Sequence, residues 1–313
     1  MLAYIARRLL ATLPVVAMVA VVIFAILRLT PGDPAAIIAG DDATAAQLDQ
    51  IRQAMGLDQP IYMQFIVWVG RLLRGDLGVS LLSGTPVLHM IGDRMGPTIA
   101  LAVATIVLTV IIAIPLGVIA AWRQGKLLDR AIMSLSVLGF SVPTFVVGYL
   151  LIYFFSIQIG WFPVQGYKPL AGGFWPFAER LILPTLALSA VYIALIARIT
   201  RSSIIEVMGE DYIRTARAKG VKENAVLMQH ALRNAAVPIV TIIGIGVASL
   251  ISGVVVTESV FNLPGLGRLV VEAVLARDYP VIQGLILLFS FIYILINLVV
   301  DLLYTVFDPR IRY

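Results

Sequence analysis

Two histidines, His89 and His230, and no cysteine are all that 313 residues offer for imidazole or thiol chemistry. Without cysteine there are no disulfides, zinc–thiolate sites, iron–sulfur clusters or thiol nucleophiles. Both histidines fall outside the apolar stretches, so an intramembrane serine protease would lack the buried base its nucleophile needs. Each reads as surface or loop packing. No G-x-x-x-x-G-K-[ST] loop is present to cradle the phosphates of ATP, and no H-E-x-x-H pair to hold zinc. Gly265-Leu-Gly267 lacks the third glycine and the strand–helix setting of a dinucleotide fingerprint. The pattern that remains is charged. Glu210 and Asp211 open a segment whose later residues are Arg214, Arg217 and Lys219, and Gly220 closes it. Acids first, bases last and a glycine just beyond match the dipole and the C-terminal cap of a short helix. Over 210–219 that helix would be about 15 Å long. The plain reading is a solvated basic loop; caps at both ends point instead to a rigid element built for docking.

The elements that must carry this helix follow from composition. Hydrophobic residues make up 60% of the chain and charged residues 13%, with a mean hydropathy of +0.97. Soluble domains run at about 45–50% apolar and about 25% charged, so this chain lacks the polar groups to cover a water-facing surface. A soluble globular enzyme is excluded. So is a disordered chain, which would be poor in hydrophobic residues. The fold class is all-α and integral to a membrane.

A helix crosses a hydrocarbon core about 30 Å thick with roughly 20 apolar residues. Six runs without a charged residue serve: 19 residues between Arg8 and Arg28, 28 between Arg94 and Arg123, 37 between Arg130 and Lys168, 17 between Arg180 and Arg198, 24 between Arg233 and Glu258, and 22 between Asp278 and Asp301. The third holds one span, at about 132–155, and a polar–aromatic tail. The fourth is short, and Arg180 and Arg198 are expected to snorkel at its ends. The apolar patch 65–69 is too short to cross and reads as an interfacial or buried turn of helix. Six transmembrane helices put both termini on one side. That side then carries fourteen Lys and Arg against seven acids, and the other side nine against eleven, or +7 against −2. The positive-inside rule makes both termini cytoplasmic. The pI near 9.6 reflects this bias and gives no support for nucleic-acid binding. The first apolar run is longer than the about 7–15 residues of a signal peptide, and Arg28-Leu-Thr-Pro follows it in place of a small-residue cleavage site, so it reads as an uncleaved span.

The loops differ by side. Residues 30–97 form one large extracytoplasmic segment, within which 44–55 place Leu48, Ile51 and Met55 on one helical face, with Gly56 at the stop. Trp161, Phe162, Tyr167 and Trp175 suit an interfacial aromatic belt. On the cytoplasmic side, 201–234 is the informative loop. Ser203-x-x-Glu206 fits a capping box, and a second amphipathic stretch at 223–232 leads into the fifth span, which Pro238 enters.

Inside the spans no ionisable group lies at mid-depth, where such groups usually mark ion or substrate paths. Glu258 and Asp301 sit at span ends within reach of water. A proton- or sodium-coupled carrier commonly uses a midplane charge, so the energy for transport is expected to come from elsewhere. The alternative is a gradient-driven secondary carrier or channel working without ATPase partners. Asn297 and Ser252 are expected to be buried and to bond between helices. Gly244, Gly246, Ser249 and Gly253 recur at spacings that allow close helix contact, either with a partner or within the chain.

The stretch Glu210-Asp-Tyr-Ile-Arg-Thr-Ala-Arg-Ala-Lys-Gly220, followed by His230-Ala-Leu-Arg-Asn234, resembles the EAA loop of permease subunits of ATP-binding-cassette importers, in its peptide/nickel-branch variant. Four further segments are similar to the dipeptide-permease B type: Tyr4-Ile-Ala-Arg-Arg-Leu-Leu10 with Thr30-Pro-Gly-Asp-Pro34, Glu258-Ser-Val-Phe-Asn-Leu-Pro-Gly-Leu-Gly267, Asp278-Tyr-Pro-Val-Ile282, and the ending Asp308-Pro-Arg-Ile-Arg-Tyr313. The resemblance covers essentially the whole chain. One departure is that Arg214-Thr215-Ala216 stands where the broad family has Glu-Ala-Ala, so no glutamate contact with an ATPase carries over. The resemblance implies a type I importer permease fold in one transmembrane domain over 1–313, in a bacterial inner membrane. It implies a second permease, two ATPase subunits and an extracytoplasmic substrate-binding protein as partners. ATP and Mg would be bound by the ATPases, and this chain would bind no cofactor and be no enzyme by itself. Glu210, Asp211, Tyr212, Arg214, Thr215, Ala216, Arg217, Lys219 and Gly220 would form the ATPase-coupling helix. The implied cargo is short peptides, including glutathione.

Overall fold

The computed structural model describes residues 2–29, 35–36, 44–54 and 56–307. Of the segments read from the sequence, 30–34, Met55 and 308–313 lie outside the described residues, as do the side chains of Arg7, Arg8, Arg28 and Ile51. Among the described residues the regular elements are helical, apart from an isolated antiparallel bridge between Val79 and Pro86. In chain order the helices are α1 (Leu2–Leu29), α2 (Ala45–Ala54), α3 (Ile61–Leu72), α4 (Val87–Trp122), α5 (Leu127–Ser141), α6 (Thr144–Leu151, continued by a π-helical turn, Ile152–Gln158), α7 (Phe174–Met208), α8 (Asp211–Ala218), α9 (Ala236–Val260), α10 (Leu266–Leu275) and α11 (Tyr279–Phe307).

Four of these, α4, α7, α9 and α11, are long and apolar enough to cross a membrane, and α5 with α6 makes a fifth if the pair is one span. In α1 the described apolar run is Leu10–Ala25. The third charge-free run predicts a single span at about 132–155, and here the structure differs: the helix axes on either side of Val142 and Pro143 diverge by 101°. Pro143 has no N–H to give, and its ring drives the preceding residue out of the helical region. Val142 accordingly sits at φ −91°, ψ 124°. The fourth run is likewise part of something larger. Helix α7 has 35 residues and takes in both Arg180 and Arg198. Ser203, read as a helix cap, is buried inside α7, where no N-terminal N–H awaits it.

Packing divides the chain into two compact units, 1–96 with 268–294 and 97–267 with 295–313. In the first, Thr44 and Gln47 cap α2 reciprocally: the Gln47 N–H donates to Thr44 Oγ1 at 3.4 Å and the Thr44 N–H to Gln47 Oε1 at 2.9 Å. Gly56, at φ +65°, follows that helix at the position read as its stop. The apolar patch 65–69 belongs to α3, none of whose residues is buried, and its Phe65 and Trp68 rings lie 5.2 and 5.6 Å from Phe24 of α1. The turn between α10 and α11 is tied down by Asp278, which accepts from the Ser80 hydroxyl and from the Leu81 N–H at 3.1 Å.

In the second unit α7 packs against α5, α6 and α9. Leu181, Leu183, Leu188, Leu250, Val254 and Leu263 form its largest buried apolar cluster. The small residues of α9 face inward: Gly244 lies against Val300, Gly246 against Tyr192, and a Cβ on Gly253 would fall 2.7 Å from Leu188 Cδ1. Those glycines therefore serve contacts within the chain, while Ser249 is exposed.

Candidate functional site

Helix α8 forms where the acid-to-base pattern places it, with eight helical residues between caps at Glu210 and Lys219. An eight-residue helix is too short to hold itself together in water, and three local features compensate. Asp211 opens its first turn and Arg217 closes its last, each suiting the dipole. Gly220, at φ +78°, reverses the chain so that its N–H donates to Arg217 O at 2.9 Å and the Val221 N–H to Ala216 O at 3.2 Å, the two bonds of a Schellman cap. Ile213, with no exposed surface, pins one face. The other face is open: Asp211, Tyr212, Arg214, Thr215, Arg217 and Lys219 are exposed and Ala216 is half-buried.

Side-chain bonds brace this face. Arg214 pairs with Asp211 at 3.2 Å, and Thr215 Oγ1 donates to Asp211 O at 3.0 Å. Arg217 reaches outside the helix and donates twice to Glu223, Nε to Oε1 at 2.9 Å and Nη2 to Oε2 at 3.2 Å. Partial burial, reinforced by the Glu210 carboxylate, pushes the Tyr212 phenol up from its ordinary range and keeps it neutral.

Beneath the helix the amphipathic stretch expected at 223–232 folds as a short α-turn (Glu223–Ala225), a π-helical turn (Val226–Ala231) and a last α-turn (Leu232–Asn234). Leu227 and Ala231 are buried with Val118 and Ala121 of α4, Ile204 of α7, and Ala235 and Ile239 at the start of α9. The exposed helix thus rests on an apolar foundation shared by three long helices. A cavity of about 400 Å³ lies in this foundation, lined by Trp122, Gln124, Met208, Gly209, Arg217 and Glu223 among others. This arrangement suits transmission of force: a charged, capped face resting on the π-helical turn, which is itself buried against α4 and α7.

Other residues singled out in the sequence fall elsewhere. His89 pairs with Asp93 at 2.9 Å on an exposed face, and His230 lies in the π-helical turn, where its carbonyl accepts from Asn234 Nδ2 at 2.6 Å. Among the described residues no three His, Asp or Glu side chains converge as metal ligands would. Glu258, expected within reach of water, is fully buried: Thr98 Oγ1 donates to its carboxylate at 2.6 Å, and Gly265 lies so close that a Cβ there would collide with it. Asn297 and Ser252, expected to be buried, are exposed. Of the aromatic belt, Trp161 and Trp175 are exposed, whereas Phe162 and Tyr167 pack against the core, and burial raises the Tyr167 phenol above its ordinary range.

Sequence reasoning misses one pair altogether. Asp129, in the first turn of α5, is buried and takes both Nε (2.5 Å) and Nη2 (2.8 Å) of Arg201 on α7, and it also accepts the Gly125 N–H at 2.9 Å. Both residues read as ordinary charges of a basic side, and no local pattern joins positions 72 apart.

Comparison with known proteins gives this geometry a context. Residues 113–313 match the family described as binding-protein-dependent transport system inner membrane component, and residues 1–102 match the N-terminal region of such components. A Sinorhizobium fredii protein described as "Probable peptide ABC transporter permease protein y4tP" is 55% identical over 310 residues, 99% of each chain. The glutathione transport system permease protein GsiC of Escherichia coli K12 is 46% identical over 313 residues, the whole of both chains. Among solved structures, an inward-facing form of the MetNI methionine ABC transporter superposes with a TM-score of 0.59 at 17% identity, covering 71% of this chain and 97% of that one, which speaks for the fold alone. A helical membrane chain whose full length matches these components belongs to the family of inner membrane components of binding-protein-dependent transport systems.

Proposed function

We propose that this chain is a permease subunit of an ATP-driven importer of short peptides, glutathione-like peptides included. It works with a second permease of the same fold, two ATPase subunits that bind ATP and Mg, and an extracytoplasmic binding protein, in a bacterial inner membrane. In this reading the chain has six spans over a single domain, 1–313, with both termini and the 201–234 loop in the cytoplasm and 30–97 outside. The observation that carries it is α8: a capped helix held by the buried Ile213, with its charged face exposed, in a chain of this family. The cargo class rests on the peptide and glutathione permeases to which the chain is similar over its whole length.

The mechanism follows from stiffness. ATPase subunits closing around ATP displace the two helices they grip, one from each permease. Here the gripped surface is Glu210, Asp211, Tyr212, Arg214, Thr215, Ala216, Arg217, Lys219 and Gly220. Because α8 is capped at both ends and packs on the π-helical turn Val226–Ala231, which is in turn buried against α4, α7 and the start of α9, it moves as a lever and its displacement reaches the spans. Chemistry at the nucleotide stays on the ATPases; this chain converts their closure into a change of access.

The test is co-purification of the chain with its genomic neighbours in mild detergent, wild type against Gly220→Pro. Proline cannot adopt the positive φ of residue 220, so the variant loses the cap. The expected result is that a second permease and an ATPase pair stay with the wild type and the ATPases drop from the variant. A chain that purifies alone and still moves solute in liposomes without ATP would overturn the reading in favour of a carrier.

A further inference from the structure

Three arginines lie along α7, and their surroundings differ. Arg180 donates to the Pro176 carbonyl at 3.0 Å and pairs with Glu179, and Arg201 is held by Asp129. Arg198 has no hydrogen-bond or ion-pair partner among the described residues; it is exposed, directly after the apolar turn 194–197 and one turn before Arg201. It lines a groove between α5 and α7, about 80 Å³ in volume, with Ser136, Val137, Phe140, Ser141 and Leu195.

The groove has a definite depth. Helices α5 and α7 run antiparallel: Asp129 is level with Arg201, while Gly139 lies against Ala190 and Ala194. Leu195 is six residues before Arg201, so this part of the groove is about 9 Å further into the span than the Asp129–Arg201 pair. Side chains on a helix lean towards its N-terminus. Arg198 is exposed and lines the groove one turn before Arg201, and its Cα–Cβ bond leans towards the N-terminus of α7, away from Arg201. A cation at such a place is costly unless an anion or water meets it, and such groups mark substrate paths. Two hydroxyls flank it, Ser136 and Ser141, which donate here to the carbonyls of Ile132 and Val137 at 2.9 and 2.8 Å and can turn to an incoming acceptor. At about 30 Å³ for one water, the volume suits a carboxylate and a water or two, and not a whole peptide.

We propose that Arg198, with Ser136 and Ser141, is a carboxylate-binding station on the translocation path that holds the free C-terminal carboxylate of a transported peptide. The guanidinium fork matches a carboxylate bidentately. The proposal rests on the peptide-importer reading above.

The chain's lack of cysteine supplies the test. Val137→Cys puts one thiol in the groove wall of the assembled transporter in open membrane sheets. Modification by anionic sulfonatoethyl and cationic trimethylammonioethyl methanethiosulfonate is then followed by the mass of this chain. The anionic reagent is expected to react roughly tenfold faster, since Arg198 concentrates anions beside the thiol. Arg198→Gln removes that preference and Arg198→Lys keeps part of it. Alanyl-alanine slows the labelling and its C-terminal amide at equal concentration does not. Equal rates for the two reagents, a preference that survives Arg198→Gln, or equal protection by peptide and amide overturns the proposal. So does protection by phosphatidylglycerol in place of peptide, which would make the occupant a lipid headgroup. ATP-driven uptake of alanyl-alanine by the wild-type transporter is measured in parallel. Its absence beside an intact charge preference sinks the importer reading and leaves the anion site standing.

Discussion

At the scale of single residues, the Asp129–Arg201 pair shows what a buried charge demands. Asp129 is 3% exposed, and its carboxylate accepts two guanidinium N–H bonds and one backbone N–H. Removing one partner strands the other in a poor solvent, at about 3–5 kcal/mol, whereas replacing both by apolar groups is often neutral. Arg201→Met is therefore expected to lower the thermal stability of the detergent-purified complex sharply, and Asp129→Leu with Arg201→Met to restore most of it. An Arg201→Met variant as stable as the wild type would mean that the pair is solvated and holds nothing. Glu258 is likewise fully buried; Thr98 within the same unit donates to its carboxylate, and Gly265 approaches so closely that a side chain there has no room. Neither arrangement is legible in the sequence, where Asp129 and Glu258 read as acids near water. Their side-chain partners come from other helices, and only the tertiary fold brings those together.

At the scale of elements, α8 is legible and the break in the third span is not. Caps and dipoles act within a turn or two, so the order Glu210, Asp211, Arg217, Gly220 specifies the helix wherever it lies. What the order leaves open is the seat. Ile213 is its one fully buried side chain, and Ile213→Ala removes a contact worth about 2–5 kcal/mol. Arg214→Ala breaks only an exposed ion pair worth about 0–1 kcal/mol. We expect Ile213→Ala to lose the ATPases on co-purification while Arg214→Ala keeps its fold by circular dichroism; an unchanged Ile213→Ala complex would show that the seat is not needed. The α5–α6 break is testable by distance. Spin labels at Ala131→Cys and Gln158→Cys would lie about 40 Å apart on a straight helix, and about 25–30 Å apart across a bend of 101°. A distribution centred near the longer value would contradict the fold. Pro143 signals a break from sequence alone; the size and direction of the bend depend on packing such as that of Gly139 on Ala190 and Gly148 on Phe261.

For the whole molecule, the charge asymmetry of +7 against −2 is the strongest statement about orientation. A phosphatase that is active only outside the inner membrane is expected to be inactive fused at the C-terminus and active when inserted at the exposed turn around Gly84. A fluorescent protein that matures only in the cytoplasm should give the reverse. An active phosphatase at the C-terminus would invert the reading and remove α8 from the side where ATPases act.

The amino-acid sequence by itself determined that this is a helical membrane protein, where the long apolar runs lie, and that a capped charged helix stands at about 210–219. These properties depend on local quantities: transfer free energy summed over about twenty neighbours, hydrogen bonds within one helical turn, and a count of charges between spans. Tertiary structure alone decided which buried acid meets which base, how sharply α5 turns into α6, that Gly244 and Gly253 serve the chain's own packing, and that Arg198 is left facing a groove. Each of these depends on distances between residues far apart in the chain. A single sequence carries no local signal for such distances, because the free energy that sets them belongs to pairs of surfaces and not to any one segment.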